Sequence, residues 1–170
     1  LGAILVAKEL GMNFDELGLA LRNIKQEQAG IILKKGVHGI NIIDSSYSSN
    51  PDGVIADLDY LNIFLNKKVV VMPCLIELGK KSAEIHKSIG KKIAEVCDLA
   101  IITTKERFED IKQGAVQSGM PKDRILLMDN PIDVFTKITT FCKEDDAVLL
   151  EGRIPGNLIK LLQEKGAFSS

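Results

Sequence analysis

Gly39-Ile-Asn-Ile-Ile-Asp-Ser-Ser-Tyr-Ser-Ser-Asn-Pro-Asp-Gly-Val-Ile-Ala-Asp-Leu-Asp-Tyr-Leu61 is the stretch whose reading decides the fold. The apolar run Ile40 to Ile43 leads into a polar loop, and Val54, Ile55, Leu58 and Leu61 then recur at helical spacing. The sequence therefore predicts a strand, a loop and a helix. Pro51 suits the first helical position, Asn50 before it is a good N-cap, and Asp52 places a carboxylate in the first turn, where the helix dipole favours it. Loops that run from a strand's carboxyl end into a helix N-terminus are where parallel α/β sheets collect ligands, phosphates above all. Asp44, Ser45, Ser46, Tyr47, Ser48, Ser49 and Asn50 offer more hydrogen-bonding groups than a cap needs. A Ser-rich connector with a good N-cap is the plainer alternative.

Outward from this stretch the pattern alternates. On the amino-terminal side, Ile31 to Leu33 and Ile40 to Ile43 make two short strands joined through Lys34, Lys35, Gly36, Val37, His38 and Gly39, with His38 at an exposed hairpin tip. On the carboxyl side, Lys68 to Met72 is a β-branched run of the kind buried on both faces, and Ser82 to Val96 carries Ile85, Ile89, Ile93 and Val96 at helical spacing. Strand Leu99 to Thr103, helix Glu106 to Ser118, strand Ile125 to Met128, a helix from Asn130-Pro131 to Phe141, strand Ala147 to Leu150 and a helix opening at Pro155 follow. Such alternation predicts a doubly wound, mostly parallel, Rossmann-like α/β sheet with helices on both faces.

Before the first strand, residues 1–24 read as two helices broken at Gly11, the second capped by Asn13 with Leu17, Leu21 and Ile24 on its apolar face. Leu1, Ile4, Leu5, Ala7 and Leu10 already keep helical spacing, as though a helix began upstream, so the chain is expected to be a piece of a longer protein. The polar stretch Lys25 to Gly30 predicts a linker, which divides the chain into residues 1–29 and a main domain over 30–170.

The 170 residues suffice for one such domain, 45% apolar with a net charge of -1. A near-neutral chain with few aromatics and no Trp does not read as a nucleic-acid binder. Cys74, Cys97 and Cys142 are odd in number and widely spaced, which argues against a disulfide framework and predicts a reducing, cytoplasmic setting. Neither His38 nor His86 has metal-ligand spacing with a cysteine, no apolar run is long enough to span a membrane, and no leader pattern is present.

In a parallel sheet the loops after the strands share one edge. That edge would gather Asp44 to Asn50, Pro73 to Lys81, Thr103-Thr104-Lys105, Asp129-Asn130 and Glu151-Gly152-Arg153. Neither a Gly-x-x-x-x-Gly-Lys-Ser/Thr loop nor Gly-x-Gly-x-x-Gly occurs, so the chain lacks both familiar ways of holding a nucleotide's phosphates. Cys74 and His86 are the one pair that nucleophilic catalysis could use, and the sequence favours Cys74 packing beneath its loop with His86 facing outward.

Three stretches carry a resemblance to a known family. Asp-Ser-Ser-Tyr-Ser-Ser-Asn-Pro-Asp from Asp44 resembles the Asp-Asp-x-Tyr-Asn-Ala-Asn-Pro motif that opens the C-terminal domain of the Mur ligases, in particular the enzymes adding D-alanyl-D-alanine to UDP-N-acetylmuramoyl-tripeptide. Val69 to Gly79, ending Glu-Leu-Gly and followed by His86, is similar to the family's apolar strand, Glu-Leu-Gly and histidine. Asp145-Asp146-Ala-Val-Leu-Leu-Glu-Gly resembles Gly-Asp-x-Val-Leu-x-Lys-Gly. The resemblance implies an ATP-dependent, amide-bond-forming ligase of cell-wall precursor synthesis. In that family a substrate carboxylate is phosphorylated and an incoming amino group displaces the phosphate. ATP and magnesium are held mainly by a central domain, whose end residues 1–29 resemble. The C-terminal domain closes over the nucleotide and receives the incoming amino acid or dipeptide, excluding water. Asp44, Ser45, Tyr47 and Asn50 would face the nucleotide. Asn50, Asp52, Glu77, Gly79 and His86 would lie towards the substrate, with a UDP-muramoyl-peptide and the parent's central domain as partners.

At three positions the chain departs from the family pattern. Ser45 stands where the motif has its second aspartate, Gly30 where the family places an arginine near the phosphates, and Glu151 where the last strand motif ends in lysine. A glycine cannot supply the charged fork of an arginine. The sequence leaves two readings open: a divergent ligase that uses other groups, such as Lys34 or Lys35, or a homologue that has lost catalysis and kept binding.

Overall fold

The computed structural model describes residues 2–23, 30–47 and 49–163, and their order follows the alternation of the sequence. Two helices, α1 (Gly2–Glu9) and α2 (Phe14–Asn23), precede β1 (Ile32–Lys35), β2 (Asn41–Ser45), α3 (Pro51–Leu61), β3 (Lys68–Met72), α4 (Ser82–Val96) and β4 (Leu99–Ile102). Then come α5 (Phe108–Gln117), β5 (Ile125–Leu127), α6 (Pro131–Phe141), β6 (Ala147–Glu151) and α7 (Gly156–Gln163).

The strands form one sheet in the order β1-β2-β6-β3-β4-β5. Only β1 runs antiparallel, as the first arm of a hairpin with β2; the other pairs are parallel. Side chains alternate along each strand, so the sheet builds two cores. Ile43, Val70, Met72, Ala100, Ile102, Ala147 and Leu149 pack under α3, α4 and α5. Ile42, Val69, Val71, Leu99, Ile101, Val148 and Leu150 pack under α6 and α7. The β-branched runs of the sequence are this double burial.

Caps set where helices begin. The Asn50 side chain accepts from the Gly53 amide at 2.9 Å with Pro51 at the first position, and Asn130 repeats the device before Pro131. Asn13 and Glu16 cap α2 reciprocally, each side chain 2.9 Å from the other's amide. Elements differ from their sequence bounds by a residue or two, as at α5, which opens at Phe108, and α7, which opens after Pro155. Leu21 is 47% exposed rather than part of an apolar face, while Leu17 is buried. Leu1, Ile24 and most of the expected linker lie outside the described residues.

The helices α4 and α5 cross at two glycines. A Cβ on Gly90 would fall 2.0 Å from the Ile111 carbonyl oxygen, and one on Gly114 would fall 2.0 Å from that of Lys87. Contact this close is open to glycine alone.

Candidate functional site

The carboxyl ends of the parallel strands bring the expected loops together through bonds that can be named. The Gly152 amide donates to the Ser45 carbonyl, joining the ends of β2 and β6. Gly152 has φ +71°, and a Cβ there would meet Ser49 Oγ at 2.7 Å and the Pro73 ring at 3.4 Å, so three loops converge on it. Cys74 carries the connection onward: its amide donates to Thr104 Oγ1 at 2.8 Å and its thiol to the Thr104 carbonyl at 3.3 Å. Beyond that, the Met128 amide donates to the Ile102 carbonyl and leads to Asp129-Asn130.

In the first loop the four nucleotide-side candidates separate by face. Asp44 turns towards α7, accepting from the Ser46 amide and hydroxyl at 3.2 and 2.6 Å and from Gln163 Nε2 at 3.3 Å. Ser45, one residue on, turns towards α3 and donates its hydroxyl to Asp57 Oδ2 at 2.5 Å. Asn50 is engaged as the α3 cap. Tyr47, 76% exposed, presents a free ring to the edge. Asp52 is exposed in the first turn of α3. Ser48 lies outside the described residues.

The substrate-side candidates lie on and behind the 73–81 loop. Glu77 and Gly79 are exposed with φ of +63° and +56°, and the space around a Cβ on Gly79 is open. An L-residue in the left-handed region costs on the order of 1 kcal/mol, so Glu77 is held there by its surroundings. Part of that hold is His86. It does not face outward: it is wholly buried, accepts the Leu75 amide at Nε2 (3.0 Å) and meets the Ser82 carbonyl with Nδ1 (2.6 Å). With both ring nitrogens engaged by backbone, His86 pins the loop that carries Glu77. Among the described residues no hydrogen bond joins it to the Cys74 thiol, which lies between the Thr104 carbonyl and the Arg107 amide. The thiol–imidazole pair is not formed.

Beneath the edge lies a group that motif reading did not single out, Asp57. Glu151, 1% exposed at the end of β6, lies beside it, and among the described residues its Oε2 meets no hydrogen-bond partner. Burial first, then the hydrogen-bonded charge of Asp57, pushes the Glu151 carboxyl up to about 9, against a smaller opposite effect of the Ser45 hydroxyl. Asp57 had a readable signal: it falls within the α3 stripe of Val54, Leu58 and Leu61, where a carboxylate needs a reason to be.

Of the two lysines considered as replacements for the missing arginine, Lys35 is engaged elsewhere. Lys35 pairs with Asp145 at 2.5 Å and with the Gly39 carbonyl at the opposite edge of the sheet, beside the start of β6. Lys34 is one residue from it on the same strand. Gly30, at the correct edge, has nothing near a Cβ position among the described residues. A cavity of about 550 Å³ also lies at the far edge, where the parallel strands begin, lined by Lys67, Asp98, Met120, Arg124 and Phe141 among others. It is remote from the motif loops.

The described residues include no group of three or more His, Cys, Asp or Glu side chains able to hold a metal ion, and no helix long and apolar enough to cross a membrane. What the edge offers is an exposed aromatic ring, hydroxyls, carboxylates and amides on rigid strand ends. Residues 31–154 match the family described as Mur ligase, glutamate ligase domain. The chain belongs to that family. This Mur ligase domain is 24% identical over 167 residues to the UDP-N-acetylmuramoylalanine--D-glutamate ligase of Caldanaerobacter subterraneus subsp. tengcongensis, covering 98% of this chain and 35% of the relative. Its fold is similar to that of the MurF ligase from Thermotoga maritima in complex with ADP (TM-score 0.65, 24% identity, 93% of this chain and 34% of that one). It is also similar to MurF from Acinetobacter baumannii (TM-score 0.67, 20% identity, 91% and 35%). The Mur ligase domain thus spans about a third of the length of these relatives.

Proposed function

We propose that this chain is the C-terminal domain of an ATP-dependent ligase that forms an amide bond in peptidoglycan precursor synthesis, and that it acts in the cytoplasm. The observation that carries the reading is the family match over residues 31–154, laid on a sheet whose carboxyl edge gathers all the motif loops. The names of the relatives, a D-glutamate ligase and two MurF ligases, support a muramoyl-peptide acceptor. Among these activities the Asp44 to Asp52 motif favours addition of a dipeptide of the D-alanyl-D-alanine kind. A family match that opens at residue 31 supports reading 1–29 as the end of the preceding central domain.

The residues present suit part of a nucleotide. Tyr47 and the hydroxyls and amides of the 44–50 loop fit a base and sugar, and the relative solved with ADP supports ATP as the cofactor. The edge has neither a glycine-rich phosphate loop nor a carboxylate set for magnesium among the described residues, so the phosphates and the metal would rest mainly on the central domain. ATP supplies the phosphoryl group that activates the acceptor carboxylate. This chain closes the site against water, orients the nucleotide through the 44–50 loop, and receives the incoming amine along Asp52, Glu77 and Gly79. His86 acts there through the loop it holds.

One observation favours a second reading, a binding module without catalysis: among the described residues nothing lies near a Cβ at Gly30, and Lys35 is paired with Asp145 away from that edge. Mass spectrometry of a reaction of the full-length parent with ATP, UDP-muramoyl-tripeptide and D-alanyl-D-alanine separates the two. A product heavier by the dipeptide less one water supports the ligase; precursor retained on the protein with no product supports the binding module.

A further inference from the structure

The groove at the amino ends of the parallel strands holds charges that its own residues do not pair. Its volume of about 550 Å³ is that of a small-molecule site. Four separate stretches line it: Lys67 before β3, Cys97 and Asp98 between α4 and β4, the turn between Gly119 and Arg124, and the end of α6 at Phe141. Two cations converge on the Phe141 ring, Lys67 Nζ at 4.7 Å and Arg124 Cζ at 5.0 Å from its centroid. Attraction to a ring is worth about 0.5–1 kcal/mol at an exposed site and neutralises neither charge. Lys67 has a local reason for its place, since its ammonium also donates at 3.3 Å to the Phe141 carbonyl, at the carboxyl end of α6. Arg124 has no such bond among the described residues, and no carboxylate among them pairs with either cation. Asp98 is the acid on the groove, exposed, with one oxygen accepting the Lys68 amide at 2.8 Å. The helices α4, α5 and α6 all end here, and their last carbonyls add partial negative charge. The groove thus carries two positive groups and one negative group, held apart by more than ion-pair reach. A simple dianion would satisfy the cations but would leave Asp98 and the helix ends facing like charge. A molecule with two acids and one ammonium complements all three.

We propose that this groove is a binding site for an acidic α-amino acid, whose two carboxylates bind Lys67 and Arg124, whose ammonium binds Asp98, and whose short methylene stem lies against Met120. The Arg124 guanidinium supplies a forked contact to one carboxylate and Lys67 a point charge to the other. Groove and motif loops occupy opposite ends of the sheet, so this ligand does not compete for the carboxyl edge. Strand β3 runs from the groove to the 73–81 loop and joins the two ends. The site stands independently of the ligase reading.

Amide chemical-shift titration of this chain by NMR tests the site, with L- and D-glutamate as probes and glutarate, glutamine and inorganic phosphate as controls at matched ionic strength. Saturable shifts at the amides of Lys67, Asp98, Arg124 and Phe141 are expected from at least one glutamate enantiomer. That binding should be at least tenfold tighter than binding of glutamine, which lacks one carboxylate, or of glutarate, which lacks the ammonium. Arg124→Gln should weaken glutamate at least tenfold. Asp98→Asn keeps an oxygen for the Lys68 amide and should weaken glutamate but not glutarate, a split that lost packing would not produce. Absence of saturable shifts at the groove, shifts confined to the 44–50 and 73–81 loops, or phosphate and glutarate binding as tightly as glutamate would each overturn the proposal. Absence of product from the parent enzyme would count against the proposed function and would leave these titrations as the judge of the groove.

Discussion

Both ring nitrogens of His86 are committed to backbone partners, and the pattern of one acceptor and one donor needs a single ring proton, on Nδ1. Replacing it leaves the Leu75 amide buried without an acceptor, which costs about 1–3 kcal/mol before any cavity is counted. His86→Ala should therefore lower the unfolding free energy by about 2–4 kcal/mol in urea and speed hydrogen exchange at the Leu75 amide at least tenfold. Unchanged exchange at Leu75 would refute the anchoring role. The histidine was legible as part of a motif but not in its direction, because the motif marks which residue is kept and not which way it turns. Spacing held the better clue: His86 lies three residues before Ile89 and seven before Ile93, inside the buried stripe of α4, while Ile85 is only half-buried. Asp57 sends the same signal from the stripe of α3. Polar residues inside apolar stripes mark the buried part of this candidate site, whereas the exposure of Tyr47 and Glu77 follows from their place in the loops.

At the scale of elements, strands and caps followed directly from local chemistry. Lys68 to Met72 and Ser82 to Val96 agree with their sequence bounds because β-branched runs and helical spacing leave one period to choose. The cap predicts its own loss: Asn50→Ala should cost about 1 kcal/mol and Asn50→Gly a few tenths, as measured by thermal or urea unfolding. The crossing of α4 and α5 was not legible, since Gly90 and Gly114 are 24 residues apart in sequence and each alone reads as a weak helical residue. Here the sign of a substitution decides. In an open helix Gly→Ala stabilises by about 1 kcal/mol, but at this crossing the added methyl would press on a backbone carbonyl. Gly114→Ala should therefore destabilise the domain by about 2–3 kcal/mol, and a stability equal to or above wild type would contradict the crossing.

Over the whole molecule, the parallel sheet turns five separate loops into one edge, and the two ends of that sheet carry different chemistry. The carboxyl edge bears the motif loops. The opposite edge bears the Lys35–Asp145 pair, the buried Asp146 that accepts the Lys67 and Lys143 amides, and the cavity beside Phe141. The right-handed crossover rule made the arrangement of the edge readable before any coordinates, but it could not reveal that Lys35 points away from it, because only the hairpin register fixes that. An edge that gathers the motif loops without a glycine-rich phosphate loop accords with the proposal that this chain supplies one part of a composite site, and the chain spans about one third of the length of its relatives. The most direct test is coupled phosphate release by the full-length parent, with ATP-magnesium, UDP-muramoyl-peptide and amine each omitted in turn, beside the same assay on this chain alone. Release by the parent only when acceptor and amine are both present, and none from this chain, is the expected result. Precursor binding by the parent without phosphate release, or ATP hydrolysis by this chain alone, would contradict it.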